Sequence, residues 1–278
     1  MTALDFTGAV WILSFLAGFL GALTGLGGGV VVVPALTLAL GVNIKYAIGA
    51  SLVSVIATSS GAAAAYVREG FSNIRIGMFL EIATTLGAIL GAFLAGRVGT
   101  HILAIIFGLV LIQAAIQSFI TNKGSDQPVA SDALANRLRL GSSYPVDGKL
   151  QEYGVRSVPA GFGFMFGAGA LSGLLGIGSG AVKVIAMDRV MRIPFKVSTT
   201  TSNFMIGVTA AASAGIYLIR GFIDPRVAMP VMLGVLAGAL LGAKVLVNAR
   251  VRTLRAVFSI VILALAIEMI VNGITGKV

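Results

Sequence analysis

The chain predicts an all-α, polytopic integral membrane protein made of two homologous halves. Composition is the first of three observations that predict it. Hydrophobic residues make up 57% of the 278 residues and charged residues only 11%, with a mean hydropathy of +1.00. A soluble domain carries about 25% charged residues, so this chain lacks the polar surface to stay in water. Second, several uninterrupted apolar runs exceed the roughly 18 residues that mark a spanning helix. The run from Tyr46 to Arg68 would reach about 34 Å as a helix, enough to cross a bilayer with some tilt. Third, residues 16–118 recur as residues 167–269 at a constant offset of 151. Gly25, Gly27 and Gly29 fall on Gly176, Gly178 and Gly180, Lys45 on Lys196, Ser51 on Ser202, Thr58 on Thr209 and Tyr66 on Tyr217. Duplicated membrane units are a common way for transporters to build a site that faces either side.

The organisation follows as a first membrane repeat (1–120), a polar linker (121–158) and a second repeat (159–278). The opening run, 7–23, is preceded by Asp5 but by no Lys or Arg, unlike a cleavable signal peptide, so it reads as the first mature helix. The next run, 30–42, is too short to span: as helix it covers about 20 Å of a hydrocarbon layer roughly 30 Å thick. Its counterpart, 181–193, holds Lys183, Asp188, Arg189 and Arg192 and cannot sit among lipid tails. Both segments follow glycine clusters. A half-helix entering the protein interior is expected, because irregular backbone at membrane depth is tolerated only when buried or lining a cavity. Runs at 46–67, 76–96 and 102–120 complete the first half, with counterparts at 197–219, 227–247 and 254–272. Each half thus has about four full spans plus one half-helix. In the linker, Ala130–Leu140 reads as a short amphipathic helix. Tyr144–Gly154 reads as a hairpin with a type I′ turn at Asp147-Gly148.

The net charge of +10 comes from basic residues standing singly at the ends of apolar runs. No basic stripe with interleaved aromatics exists, so nucleic acid is not an expected partner; the lipid bilayer is. If the half-helices change sides, one face collects Arg68, Arg75, Lys123, Arg137, Arg139, Lys149, Arg156, Arg189, Arg192, Lys196, Arg250, Arg252 and Arg255. The other keeps Lys45, Arg97, Arg220, Arg226 and Lys277. That positive-inside bias favours inverted repeats with both termini outside the cytoplasm. There is no cysteine, and the one histidine, His101, lies at a span edge and reads as interfacial. Thiol chemistry and disulfides are excluded, no metal or cofactor is expected, and no paired carboxylates suggest an enzyme.

The strongest local signal is Gly21-Ala-Leu-Thr-Gly25-Leu-Gly27-Gly28-Gly29 and its twin Gly173-Leu-Leu-Gly176-Ile-Gly178-Ser179-Gly180. A glycine-rich loop opening a helix leaves amide N–H groups free to face an anion at the positive end of the helix dipole. The competing reading, close helix packing, is the better one for Gly87/Gly91 and Gly238/Gly242, at small-xxx-small spacing. Lys183 follows the second loop, where the first copy has Val32. A lysine central in a membrane segment costs roughly 2.5–3.5 kcal/mol on insertion scales, so it faces a cavity or a partner: it meets an anionic substrate, or else it snorkels or pairs with Asp188. Ser51, Ser54, Thr58, Ser59 and Ser60, and Thr199 to Ser202, Asn203 and Thr209, add hydroxyl and amide groups. Ser51, Ser202 and Asn203 lie nearest the helix starts. Such groups complete an anion's hydrogen-bond shell or bond to their own helix backbone. Glu81 and Glu268 raise proton coupling. The simpler reading of Glu81 is snorkelling or pairing with Arg75.

The doubled G-x-G-G-G loop, Gly49-Ala-Ser51 after it, and Tyr66-Val-Arg-Glu-Gly70 closing the next span resemble the TauE/SafE family of sulfite exporter-like membrane proteins. The second copy departs from the pattern at Ser179, Ile185 and Thr200-Thr201. The resemblance implies a multi-pass protein of the prokaryotic cell membrane that transports small sulfur-containing anions. The duplicated halves suggest alternating access between the repeats as the mechanism; a passive anion channel and an uptake transporter are the alternatives. Gly27, Gly28, Gly29, Ser51, Gly178, Ser179, Gly180, Lys183, Ser202 and Asn203 are the candidate substrate-binding residues. Transport direction, coupling ion and assembly as a homo-oligomer are left open.

Overall fold

A computed structural model describes residues 3–24, 28–68, 72–119, 130–146, 149–246 and 251–277. The long apolar runs become helices: α1 (Ala3–Thr24), α3 (Ile44–Arg68), α4 (Ile74–Ala95) and α5 (Thr100–Phe119). Their counterparts are α7 (Val158–Leu175), α9 (Phe195–Ile219), α10 (Pro225–Leu246) and α11 (Val251–Thr275). Among the described residues five segments are long and apolar enough to cross a membrane: Leu4–Ala22, Ile74–Ala95, Val158–Leu175, Phe195–Ile219 and Pro225–Gly242. On α4, Met78, Ile82, Leu86, Ile89 and Phe93 recur at three- and four-residue steps and are exposed, which makes one face of the helix a lipid-facing stripe. The protein is an all-α, multi-pass membrane protein.

The two short segments form as expected. Helix α2 (Gly29–Pro34) and helix α8 (Gly180–Ile185) each widen into a π-helical turn, Ala35–Ala39 and Ala186–Val190. The change falls at the same offset of 151 although the first copy has Pro34 where the second has Ile185, so proline is not its cause. Both turns are closed by the same bond, Val42 N–H to the Leu36 carbonyl and Ile193 N–H to the Met187 carbonyl. Helix α2 is buried along its whole length. Together α2 and its turn rise about 16 Å, half of a hydrocarbon layer.

The halves exchange helices. Helix α1 packs on α10, and α7 packs on α4; α3 packs on α9 and α5 on α11. The contacts are reciprocal residue by residue. A Cβ at Gly87 would run into the Phe166 carbonyl, and one at Gly238 into the carbonyl of Phe15, its counterpart. A Cβ at Gly91 would strike the Ala170 carbonyl, and one at Gly242 the Phe19 carbonyl. These glycines let backbones touch, as their spacing predicts. The start of α3 lies beside the end of α9, where Tyr46 meets Phe222 edge-on at 5.8 Å. Lys45 Nζ there donates to the Gly96 carbonyl (3.2 Å), and Arg220 reaches the Phe93 carbonyl (2.9 Å).

At the opposite end the linker forms a small module. Helix α6 (Ala133–Arg137) is shorter than the eleven-residue segment expected: the Asp132 carboxylate caps it at Ala135 N–H, and Arg139, at φ 51°, ends it. Strands β1 (Ser142–Val146) and β2 (Lys149–Tyr153) pair antiparallel, with Val146 opposite Lys149; the expected turn at Asp147-Gly148 lies outside the described residues. Leu140, Tyr144, Tyr153 and Val155 join a core with Ile76, Leu80, Met187, Met191 and Val197. Asn73 fastens this module to the membrane helices. Its side chain caps Ile76 N–H and donates to the Leu140 carbonyl and the Tyr153 hydroxyl, while its own N–H donates to Thr201 Oγ1.

Candidate functional site

Gly29, at the end of the first glycine motif, lies against Gly176 of the second, beside Ser51 and Val55 of α3. Gly176 and Gly178 take the left-handed backbone, at φ 69° and 70°, which glycine adopts without a Cβ penalty. Ser51, on α3 of the first half, donates to the Gly176 carbonyl of the second loop (2.9 Å) and lies 3.4 Å from the Gly29 carbonyl of the first. Its counterpart Ser202 donates to the Gly180 carbonyl (3.2 Å). Each serine therefore ties a half-helix start to the long helix that follows it, and Ser51 also ties one half to the other.

The loops are not copies. Gly28, at the start of α2, has helical φ −64° and ψ −26°. Ser179 in the equivalent place has φ 45° and ψ 28°, a conformation that costs a non-glycine residue about 1–2 kcal/mol. The Ser179 hydroxyl is buried without a hydrogen-bond partner. Gly27 lies outside the described residues. Gly28 and Gly29 are buried, and a Cβ on Gly178 or Gly180 would press against Ile206. Asn203, on α9, is half-buried.

Lys183 on α8 is fully buried. Its Nζ donates to Thr209 Oγ1 on α9 at 2.6 Å. The same hydroxyl lies 2.7 Å from Glu81 Oε1 on α4, and Thr85 also donates to that carboxylate oxygen (3.2 Å). Glu81 is itself buried, at 7% exposure, and its Oε2 is buried without a hydrogen-bond partner. This corrects the expected pairing of Glu81 with Arg75 at a span end. Arg75 is exposed and donates instead to the Arg139 carbonyl of the linker (2.8 Å). The helix turn between the two residues points Glu81 inward, toward α9. The expectation for Lys183 named a substrate or Asp188; the polar group it reaches through its Nζ is Thr209.

This chain of groups occupies only one of two pseudo-equivalent places. At the offset of 151, Lys183, Thr209 and Glu81 correspond to Val32, Thr58 and Met232. Thr58 directs its hydroxyl to the Ser54 and Val55 carbonyls of its own helix. Ser54, Ser59, Ser60, Thr199 and Thr200 likewise bond to backbone carbonyls within their helices, the second of the two roles open to them. Glu81 is the residue that sequence reasoning left out of the site. One signal would have found it: Glu81 and Lys183 both break the internal repeat, with opposite charge.

Residues 10–269 match the family model described as "Sulfite exporter TauE/SafE", and the chain belongs to that family. It is 26% identical to "Probable membrane transporter protein YunE" of Bacillus subtilis (strain 168), over 95% of this chain and 97% of that one. It is 29% identical to "Probable membrane transporter protein YdhB" of the same organism, over 84% and 86%. To "Probable membrane transporter protein ORF9" of Sinorhizobium sp it is 26% identical, over 95% and 92%. No solved structure matches the chain significantly. The family and these relatives make it a membrane transporter and not an enzyme.

Proposed function

We propose that this TauE/SafE protein is a secondary transporter of small sulfur-containing anions, such as sulfite, sulfonates or related organosulfur compounds, with export as its direction. The single observation that carries the reading is Lys183: a cation with no exposure, held in a half-helix directly after the second glycine loop. Burying a charge is costly unless it is paired: Glu81 offsets Lys183 through Thr209, and an anionic substrate is the alternative partner of matching charge. The substrate anion sits between the two loops, against Lys183 and the Ser179 hydroxyl. Loop amides and neighbouring hydroxyls replace its hydration shell. The family description supplies the sulfur chemistry.

Movement follows alternating access between inverted repeats in a prokaryotic inner membrane. What supports the inversion is that α3 and α9 correspond in sequence but run in opposite directions. The start of α3 contacts the end of α9 at Tyr46 and Phe222. The start of α9, through Thr201, bonds to Asn73 at the start of α4, five residues after α3 ends. A fully buried lysine fits an occluded carrier site better than the open pore of a channel.

The test is thermal stabilisation of the purified protein by sulfite, methanesulfonate and thiosulfate, with chloride as reference. Countertransport of a labelled test anion in proteoliposomes accompanies it. Saturable stabilisation and exchange are expected. Equal effects of chloride and the sulfur anions, or conductance without exchange, would defeat the proposal.

A further inference from the structure

We infer that Glu81 and Lys183 form a charge-exchange pair across Thr209: the entering anion takes the carboxylate's place as partner of Lys183, Glu81 takes up a proton, and one proton travels with each monovalent anion. This rests on the proposed function and adds its coupling ion. The geometry has the parts such a device needs. Thr209 Oγ1 touches Lys183 Nζ at 2.6 Å and Glu81 Oε1 at 2.7 Å, so one hydroxyl reports the charge of each to the other. Oε1 is held by Thr209 and Thr85. Oε2 is buried with no partner and is the atom free to receive a proton.

Among the described residues, Glu81 is the carboxylate joined to Lys183 through a shared hydroxyl. Helix α4 packs on α7 and α9. Helix α7 carries no ionisable side chain. Helix α9 brings Thr209, and its own ionisable residues, Lys196 and Tyr217, lie eight or more residues from Thr209, about 12 Å or more along the helix. Helix α8 brings Lys183, and the π-helical turn after it carries Asp188 and Arg189. On α4 itself Arg75 is directed to the linker, where Tyr153 meets Asn73.

Charge conservation in a low-dielectric interior sets the stoichiometry. With Glu81 ionised, Lys183 and Glu81 are together neutral. Adding a monovalent anion would leave one uncompensated buried charge, which costs several kcal/mol. Protonating Glu81 restores neutrality. The proton comes from water on the side from which the anion enters, forms an O–H bond at Oε2 and returns to water where the anion leaves. No bond to the substrate forms or breaks. The second pseudo-equivalent place, with Val32, Thr58 and Met232, has no such pair, so the cycle carries one proton and not two.

Titration calorimetry of the whole protein tests this, with methanesulfonate as probe because its charge is fixed across the pH range used. Binding enthalpies measured at one pH in buffers of different ionisation enthalpy give the protons taken up. About one proton per anion is expected where Glu81 is ionised, with affinity falling about tenfold per pH unit above its titration. Glu81→Gln should bind with no proton uptake and a flat pH profile. Binding by the unaltered protein with no proton uptake at any pH from 5 to 9 (roughly the range a buried carboxyl samples) overturns the inference and leaves the transport proposal standing. That measurement does not depend on the variant folding. If neither methanesulfonate, sulfite nor thiosulfate binds better than chloride, the transport proposal fails and takes this inference with it.

Discussion

Lys183 and Glu81, from opposite halves of the duplicated chain, are joined through one hydroxyl, that of Thr209. Neither charge has an equivalent at its repeat-related position. The strongest electrostatic feature of the interior is therefore asymmetric, within a scaffold whose helix packing is reciprocal.

Because the two charges compensate each other, removing one should cost more than removing both. Lys183→Met and Glu81→Gln are each expected to lower stability, Lys183→Met by about 3–5 kcal/mol because it leaves a buried carboxylate uncompensated. The double variant should recover most of that loss yet fail to bind methanesulfonate. A thermal-unfolding double-mutant cycle measures it; simple additivity would contradict the pairing.

Thr209→Val keeps the shape of the side chain but removes the bridging hydroxyl. A loss of about 1–3 kcal/mol is expected. The repeat-related Thr58→Val, whose hydroxyl bonds only its own helix, should change stability by less than about 1 kcal/mol. Thermal midpoints of the two variants, compared side by side, decide the matter.

Ser179→Gly should stabilise the protein by about 1–2 kcal/mol, since it removes both a left-handed non-glycine residue and a buried hydroxyl with no partner. Anion affinity should fall at the same time. A stabilised variant with unchanged affinity would remove Ser179 from the site.

Small residues carry the contact between halves. Gly91→Ala places a Cβ against the Ala170 carbonyl, and a marked drop in the monodisperse fraction extracted by detergent is expected. A Cβ at Gly167, also in a membrane helix, meets nothing within 4 Å. Gly167→Ala should match the parent in size-exclusion profile.

Burial raises the Tyr153 hydroxyl to about 12 from its ordinary 10.0, and the Asn73 hydrogen bond offsets part of that rise. Its folded pKa lies above the unfolded one, so its stabilising contribution is complete below pH 10 and is lost as pH rises toward 12. Absorbance titration at alkaline pH should show a late component to which Tyr153 contributes, and Tyr153→Phe should diminish it. Ionisation of all tyrosines near pH 10 would contradict the linker packing.

The fold class, the duplication, the half-helices and the packing role of Gly87, Gly91, Gly238 and Gly242 were legible in the chain. Each rests on local hydropathy, segment length or a repeat offset, which a linear pattern carries. Lys183 also stood out, because a lysine inside an apolar run is costly wherever the run folds. Its partner did not. Glu81 lies six residues beyond Arg75, and local spacing offers that neighbour first; nothing linear says that the helix turn aims the carboxylate away from it. Likewise Ser51 sits on an expected binding face, yet its hydroxyl holds the carbonyls of two loops.

The sequence by itself therefore determined that this is a duplicated helical membrane protein with a buried cation after its second glycine loop. Only the tertiary structure decided what that cation meets. Which helices of the two halves lie together depends on interhelical packing over the whole molecule, and that packing brings Glu81 of α4 and Thr209 of α9 to Lys183.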